Sequence, residues 1–149
     1  TLNINWKHVA QTECSHVFSE STNWDLRNYA KREYAGNAWT IIEHFGYPNI
    51  RKELEGHGIH SLRNILTLHH TLHSYFDKLK LWLVPTTPNR YQVETSIPLI
   101  IFNSWEIPRI IEFQTTQPDL DLPSADYLHI HAACCRVYHM SGAANLRQG

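Results

Sequence analysis

The stretch from Asn64 to Asp77 constrains the fold more than any other part of the chain. It reads Asn64-Ile65-Leu66-Thr67-Leu68-His69-His70-Thr71-Leu72-His73-Ser74-Tyr75-Phe76-Asp77 and changes character twice. Ser61-Leu62-Arg63-Asn64 has turn chemistry, and Ile65–Leu68 reads as a short buried strand. From Leu68 to Leu79 the apolar spacing is helical, with Leu68, Leu72, Tyr75, Phe76 and Leu79 on the inner side. His73 projects from the start of that helix, and Asp77, four residues on, shares its face. An imidazole and a carboxylate so spaced can grip one divalent cation from one side of a helix.

A third contribution has to come from elsewhere, and the strand-like Cys14-Ser15-His16-Val17-Phe18 upstream is the natural supplier. After it, Ser19 to Asp25 is polar. Helical spacing then runs to Phe45, split near Gly36-Asn37 and ended by Gly46-Tyr47-Pro48-Asn49. Asn49 to Leu54 predicts another helical turn, and Gly56-His57-Gly58 a connection. Leu81–Val84 and Tyr91–Thr95 predict a β-hairpin, with Pro85 to Arg90 as its turn. The longest apolar stretch, Ile97 to Phe102, contains Pro98 and suits a short buried segment. Trp105 to Phe113 is a second apolar-rich stretch, and Gln117 to Pro123 a loop. Ser124 to Met140 is the clearest helix, with Ser124 as N-cap and Gly142 as stop. The expected class is mixed α+β, dominated by helices, in a single domain over residues 1–149.

Composition narrows the function classes. With 149 residues, 42% of them hydrophobic and 18% charged, the chain has the make-up of a folded protein with a real core. No apolar run is long enough to span a bilayer, so no membrane role is expected. The chain opens at Thr1 without a Met or a secretory-type leader, and an upstream segment is expected before it. Thirteen Lys and Arg stand against 14 Asp and Glu, so the basic excess usual in nucleic-acid binders is missing. Three cysteines, two of them adjacent, do not suggest a disulfide framework, and an intracellular setting (cytoplasm or nucleus) is the expectation. Eleven histidines are unusual, and most cluster at His57, His60, His69, His70 and His73 and at His129, His131 and His139.

In these motifs the chain resembles the HNH family, whose core is a ββα unit wrapped around one metal ion (the His-Me finger). Ser15-His16-Val17, then Asn64, then His73 appear in the family's order. Leu72-His73-Ser74-Tyr75-Phe76-Asp77 is similar to the "LHxxFD" string of HNH proteins abundant in fungal genomes, and Cys14–Phe18 to their "AHIxP" opening. Leu81–Pro85 resembles the strand after their metal helix. Leu128–Ala133 and Ser141–Ala144 resemble their C-terminal "LHAA…SGAA" helix, so the resemblance runs from Glu13 to Ala144.

The resemblance implies a ββα-metal core with additional helices and a C-terminal helix, and a nuclease that hydrolyses phosphodiester bonds in DNA or RNA. It implies His16 as general base, Asn64 as a brace for His16 or its loop, and His73 as a metal ligand with Asp77 as the second. The cofactor implied is a divalent metal, Mg²⁺, Mn²⁺ or Zn²⁺; a His and a carboxylate do not choose among them. Two positions depart from the pattern. Ser15 stands where many active members place Asp or His as a ligand, leaving His69 or water to fill in, and Ser19 stands where the fungal group often has Pro.

Other readings of the same residues stay open. His73 bonded to Asp77 can be a helical pair without metal, and Asn64 a turn residue. His69 and His70 fit exposed helix-start positions, and His131 and His139 core packing or hydrogen bonding. Cys134-Cys135 fits buried filler, while Cys14 with His57 or His60 has the residue types of a structural zinc site. The alternatives to a nuclease are an enzyme on the same scaffold using His16 and His73 for acid–base chemistry on a small molecule, and a non-catalytic binding module.

Overall fold

A computed structural model describes residues 10–19 and 39–142. Two antiparallel strands, β1 (Thr12–His16) and β2 (Ile65–His69), pair with Cys14 opposite Thr67 and His16 opposite Ile65. Between them lie helix α1 (residues 39–44), helix α2 (Ile50–Leu54) and two 3₁₀ turns, Gly56–His60 and Leu62–Asn64. β2 runs directly into α3 (His70–Asp77), completing a ββα unit. A second sheet follows in the order β3 (Leu81–Thr87), β4 (Arg90–Thr95), β5 (Ile110–Glu112), with α4 (Leu99–Ser104) between the last two. The long helix α5 (Ala125–Met140) closes the chain and packs on β3. The architecture is mixed α+β, with a ββα core and a C-terminal helix. Among the described residues no helix is long and apolar enough to cross a membrane.

Each element has a local cause. Ser124 caps α5 by accepting from the Tyr127 amide, and Gly142 takes a left-handed φ of +75° just past its end. Asn89, at φ +60°, turns the β3–β4 hairpin, and the ladder shifts register between Pro85 and Thr87. Pro85 has no N–H to give, and β3 is an edge strand, so the proline is tolerated there. One core holds the layers together, with Val17, Leu66, Phe76, Leu83, Tyr91 and Leu128 at its centre.

Four elements differ from the sequence expectation. β1 stops at His16 rather than reaching Phe18, because the Phe18 backbone is held by the Asn64 side chain instead of a ladder. The helix begins at His70, two residues later than Leu68, because pairing with Thr12 and Glu13 keeps Leu68 and His69 in the strand. Ile97 to Phe102 is not a buried segment: Pro98 starts the short α4, whose turn leaves Leu99, Ile100 and Ile101 exposed and buries only Phe102. Gly56–His60 forms a 3₁₀ turn rather than a loose connection. Most of the helix expected between Asp25 and Phe45 lies outside the described residues.

Two sets of polar contacts fix the ββα unit. Asn64 is fully buried; its Nδ2 donates to the carbonyls of Ile59 (2.8 Å) and Phe18 (2.9 Å), and its Oδ1 accepts from the Phe18 amide (2.9 Å). On the far side, His131 of α5 donates from Nε2 to the Phe76 carbonyl (3.3 Å) and stacks on the Phe76 ring, while His139 Nε2 donates to the Leu79 carbonyl (2.7 Å). The Phe76 carbonyl lies in the last turn of α3 and the Leu79 carbonyl just past its end, so the two contacts tie that end of the helix to α5.

These contacts give two expectations. Asn64→Ala strands three buried or half-buried backbone groups, so the unfolding free energy should fall by about 3 kcal/mol in urea denaturation; a loss below about 1 kcal/mol would show that the clamp is dispensable. Burial pushes the His131 imidazole down from 6.5 to about 4, against the smaller upward pull of the Phe76 carbonyl. The folded state keeps it neutral while the unfolded chain protonates near 6.5. Stability present above pH 6.5 should therefore drain away as pH falls to about 4, by roughly 3 kcal/mol in all. His131→Gln, which keeps a donor without the titration, should flatten that slope; an unchanged slope would place the dependence on other groups.

Candidate functional site

An open cleft of about 650 Å³ lies where the ββα unit meets α5, and its walls include His16, Ser19, His73, Asp77, His131 and Cys134. Three of the four residues singled out from the sequence, His16, His73 and Asp77, thus meet on one surface. The fourth, Asn64, does not line it. Its amide sits behind the cleft and holds the Phe18 backbone, two residues after His16, against the Ile59 carbonyl, one residue before His60.

That clamp sets the two histidines facing one another. His16 Nε2 lies 3.2 Å from His60 Nδ1, with the rings edge to face. If Nε2 of His16 carries the hydrogen, its Nδ1 keeps a free electron pair.

His73 sits on the inner side of α3, about a quarter exposed, and both its ring nitrogens meet carboxylates. Nδ1 lies 2.8 Å from Glu13 Oε2, and Nε2 lies 3.1 Å from Asp77 Oδ2. The other oxygen of Glu13 accepts from His70 Nδ1 at 2.7 Å. Hydrogen bonds from His73, and then from His70, hold the Glu13 carboxyl below the usual carboxylate range. Sequence reading missed Glu13. The signal was present, a carboxylate on the strand two residues before Ser15 and so on the same face, but only the register with β2 aims it at α3.

Ser15 is fully buried, and its Oγ has no hydrogen-bond partner. It faces the core rather than the cleft and offers nothing to a cation there. His69 does not fill in for it: its ring accepts from the Thr71 amide and caps α3. The alternative of a structural zinc site at Cys14 with His57 or His60 gains no support. Among the described residues no three or more His, Cys, Asp or Glu side chains are grouped to hold a metal, and His60 turns Nδ1 toward His16. Of the cysteine pair, Cys135 is buried as expected, but Cys134 is exposed at the cleft.

The donor set at His73 and Asp77 suits a divalent cation held by two protein groups. A neutral imidazole that gives its Nδ1 hydrogen to Glu13 presents a lone pair at Nε2, beside an oxygen that can only accept. Two such donors 3.1 Å apart match neighbouring positions around a cation with bonds of about 2.1 Å. Any further ligands would have to come from water or substrate oxygen.

A family model described as HNH endonuclease matches residues 3–84, which hold β1, the 3₁₀ turns, β2, α3 and the start of β3. The C-terminal helix, where the sequence also resembled the family, lies beyond that match. No curated protein and no solved structure matches the chain. HNH nucleases act on nucleic acids and generally use a divalent metal. With more than half of its length matched, in the order β-strand, β-strand, helix, this chain belongs to the HNH endonuclease family.

Proposed function

We propose that the chain is a divalent-metal-dependent nuclease that hydrolyses phosphodiester bonds in DNA or RNA. The observation that carries this reading is the meeting of His16 with His73 and Asp77 in one open cleft, from segments far apart in sequence. In the proposal His73 Nε2 and Asp77 Oδ2 hold Mg²⁺, Mn²⁺ or Zn²⁺. When bound, the cation stabilises charge on the phosphate and the leaving oxygen.

The remaining steps belong to the chain's own side chains. His16 donates its Nε2 hydrogen to His60 Nδ1 and takes the proton of the attacking water at Nδ1. Asn64 keeps the loop after β1 in place and with it the position of His16 at the cleft. The backbone around His16 is held by a buried amide rather than by surface contacts, which suits a group that must not drift by even an ångström.

A second reading, a small-molecule substrate on the same scaffold, has the cleft's apolar side in its favour: Val17, Phe76, Leu79 and Ile130 line it together with the polar groups.

Plasmid DNA, RNA and a small aryl phosphodiester, each with Mg²⁺, Mn²⁺, Zn²⁺ or chelator, test both readings. Nucleic acid should be cut with at least one metal and not with chelator. His16→Ala should lower the rate about 10²–10⁴-fold while metal binding persists, since the base is not a ligand. His73→Ala should lose the metal and, with it, the extra thermal stability of the metal-loaded form. Cleavage of the small diester alone would favour the second reading. Loss of metal in His16→Ala would recast His16 as a ligand, and absence of cleavage under every condition would end the nuclease reading.

A further inference from the structure

In a β-strand successive side chains alternate between faces, so Glu13 and Ser15 of β1 project the same way. Ser15, opposite Leu66, is sealed into the core with an unpartnered hydroxyl. Glu13, opposite Leu68, lies one pleat nearer the start of α3, where the side chain emerges from the core and reaches the helix. Its two oxygens divide between two histidines one turn apart, Oε2 to His73 Nδ1 at 2.8 Å and Oε1 to His70 Nδ1 at 2.7 Å.

From this juxtaposition we infer that Glu13 is the positioning residue of the metal centre: it fixes His73 with the hydrogen on Nδ1, leaving Nε2 to share a divalent cation with Asp77. The inference rests on the reading of His73 and Asp77 as ligands. Both carboxylates beside His73 can only accept, but only the Nδ1 contact, the shorter at 2.8 Å against 3.1 Å, has hydrogen-bond geometry, which places the hydrogen of a neutral His73 on Nδ1. That tautomer puts the lone pair at Nε2, 3.1 Å from Asp77 Oδ2. Ligating histidines usually give their other N–H to a carboxylate or carbonyl, which fixes the ring and strengthens it as a donor. His70 holds the second oxygen of Glu13 and so keeps the carboxylate from turning away. Ser15, buried one pleat further along β1, offers nothing to a cation, and Glu13 acts from the same strand face without touching it.

The test uses the whole chain and Mn²⁺ as probe, with two readouts. Long-range ¹H–¹⁵N correlation spectra of the metal-free protein report the His73 tautomer, and calorimetric titration reports Mn²⁺ affinity. His73 should be Nδ1-protonated when neutral. Glu13→Ala should mix or reverse the tautomers and weaken Mn²⁺ binding about 10–100-fold. Glu13→Gln, whose amide oxygen can still accept from Nδ1, should recover most of the affinity, which a purely structural role would not predict. Adding Glu13→Ala to His73→Ala should cost nothing further. The inference is overturned if the unmodified protein binds no Mn²⁺. It is also overturned if the tautomer and the affinity survive in Glu13→Ala, or if Glu13→Gln is as weak as Glu13→Ala. Mn²⁺ binding that depends on Glu13, without any cleavage of nucleic acid, would support the inference and remove the nuclease reading. Cleavage with affinity independent of Glu13 would do the reverse.

Discussion

The buried amide of Asn64 is the contact on which the site depends. An amide has both donors and an acceptor, and this one satisfies three backbone groups from two segments that are distant in sequence. Neither Asp nor Leu could do the same: the first lacks the donors, and the second would leave buried and half-buried peptide groups unpaired. The clamp ends β1 at His16 and bends the chain inward, so that Val17 enters the core. It also draws up the 3₁₀ turn that presents His60. The geometry of the proposed base follows from a residue that never reaches the cleft.

Helix α3 is short, and eight residues alone would not hold a fixed orientation. It is held instead from three directions. Phe76 anchors it in the core, Glu13 grips His70 and His73 from β1, and His131 and His139 of α5 donate to carbonyls at its end. Several of the histidines that stood out in the sequence therefore serve the helix that carries the proposed ligands. Burial keeps His131 neutral, whereas His73 lies half-buried between two carboxylates. The same side chain thus does different work according to what surrounds it.

Much of this was legible in the sequence because it is local. A turn, an apolar strand and a helix with His and Asp four apart are all encoded between Asn64 and Asp77, and the family match covers that stretch. Ser124 and Gly142 marked the last helix for equally local reasons. What could not be read was non-local. The reach of Glu13 depends on its pairing with Leu68, and the facing of His16 and His60 on the Asn64 clamp. The apolar run near Ile100 misled because hydrophobicity does not distinguish a buried strand from a short surface helix. On or beside the second sheet Glu94 engages Arg136, Asn103 engages Arg109 and Glu112 lies near Arg90, so basic side chains there have polar neighbours at the surface.

The central claim is that β1, β2 and α3 build one metal centre beside a histidine base. A crystal of the chain grown with Mn²⁺, read by anomalous scattering, tests it most directly. The account predicts a single strong peak in the cleft bound to His73 Nε2 and Asp77 Oδ2, with Glu13 still on His73 Nδ1 and His16 facing the metal's open side. A cleft without a peak at saturating Mn²⁺, or a peak held by other residues, would contradict it.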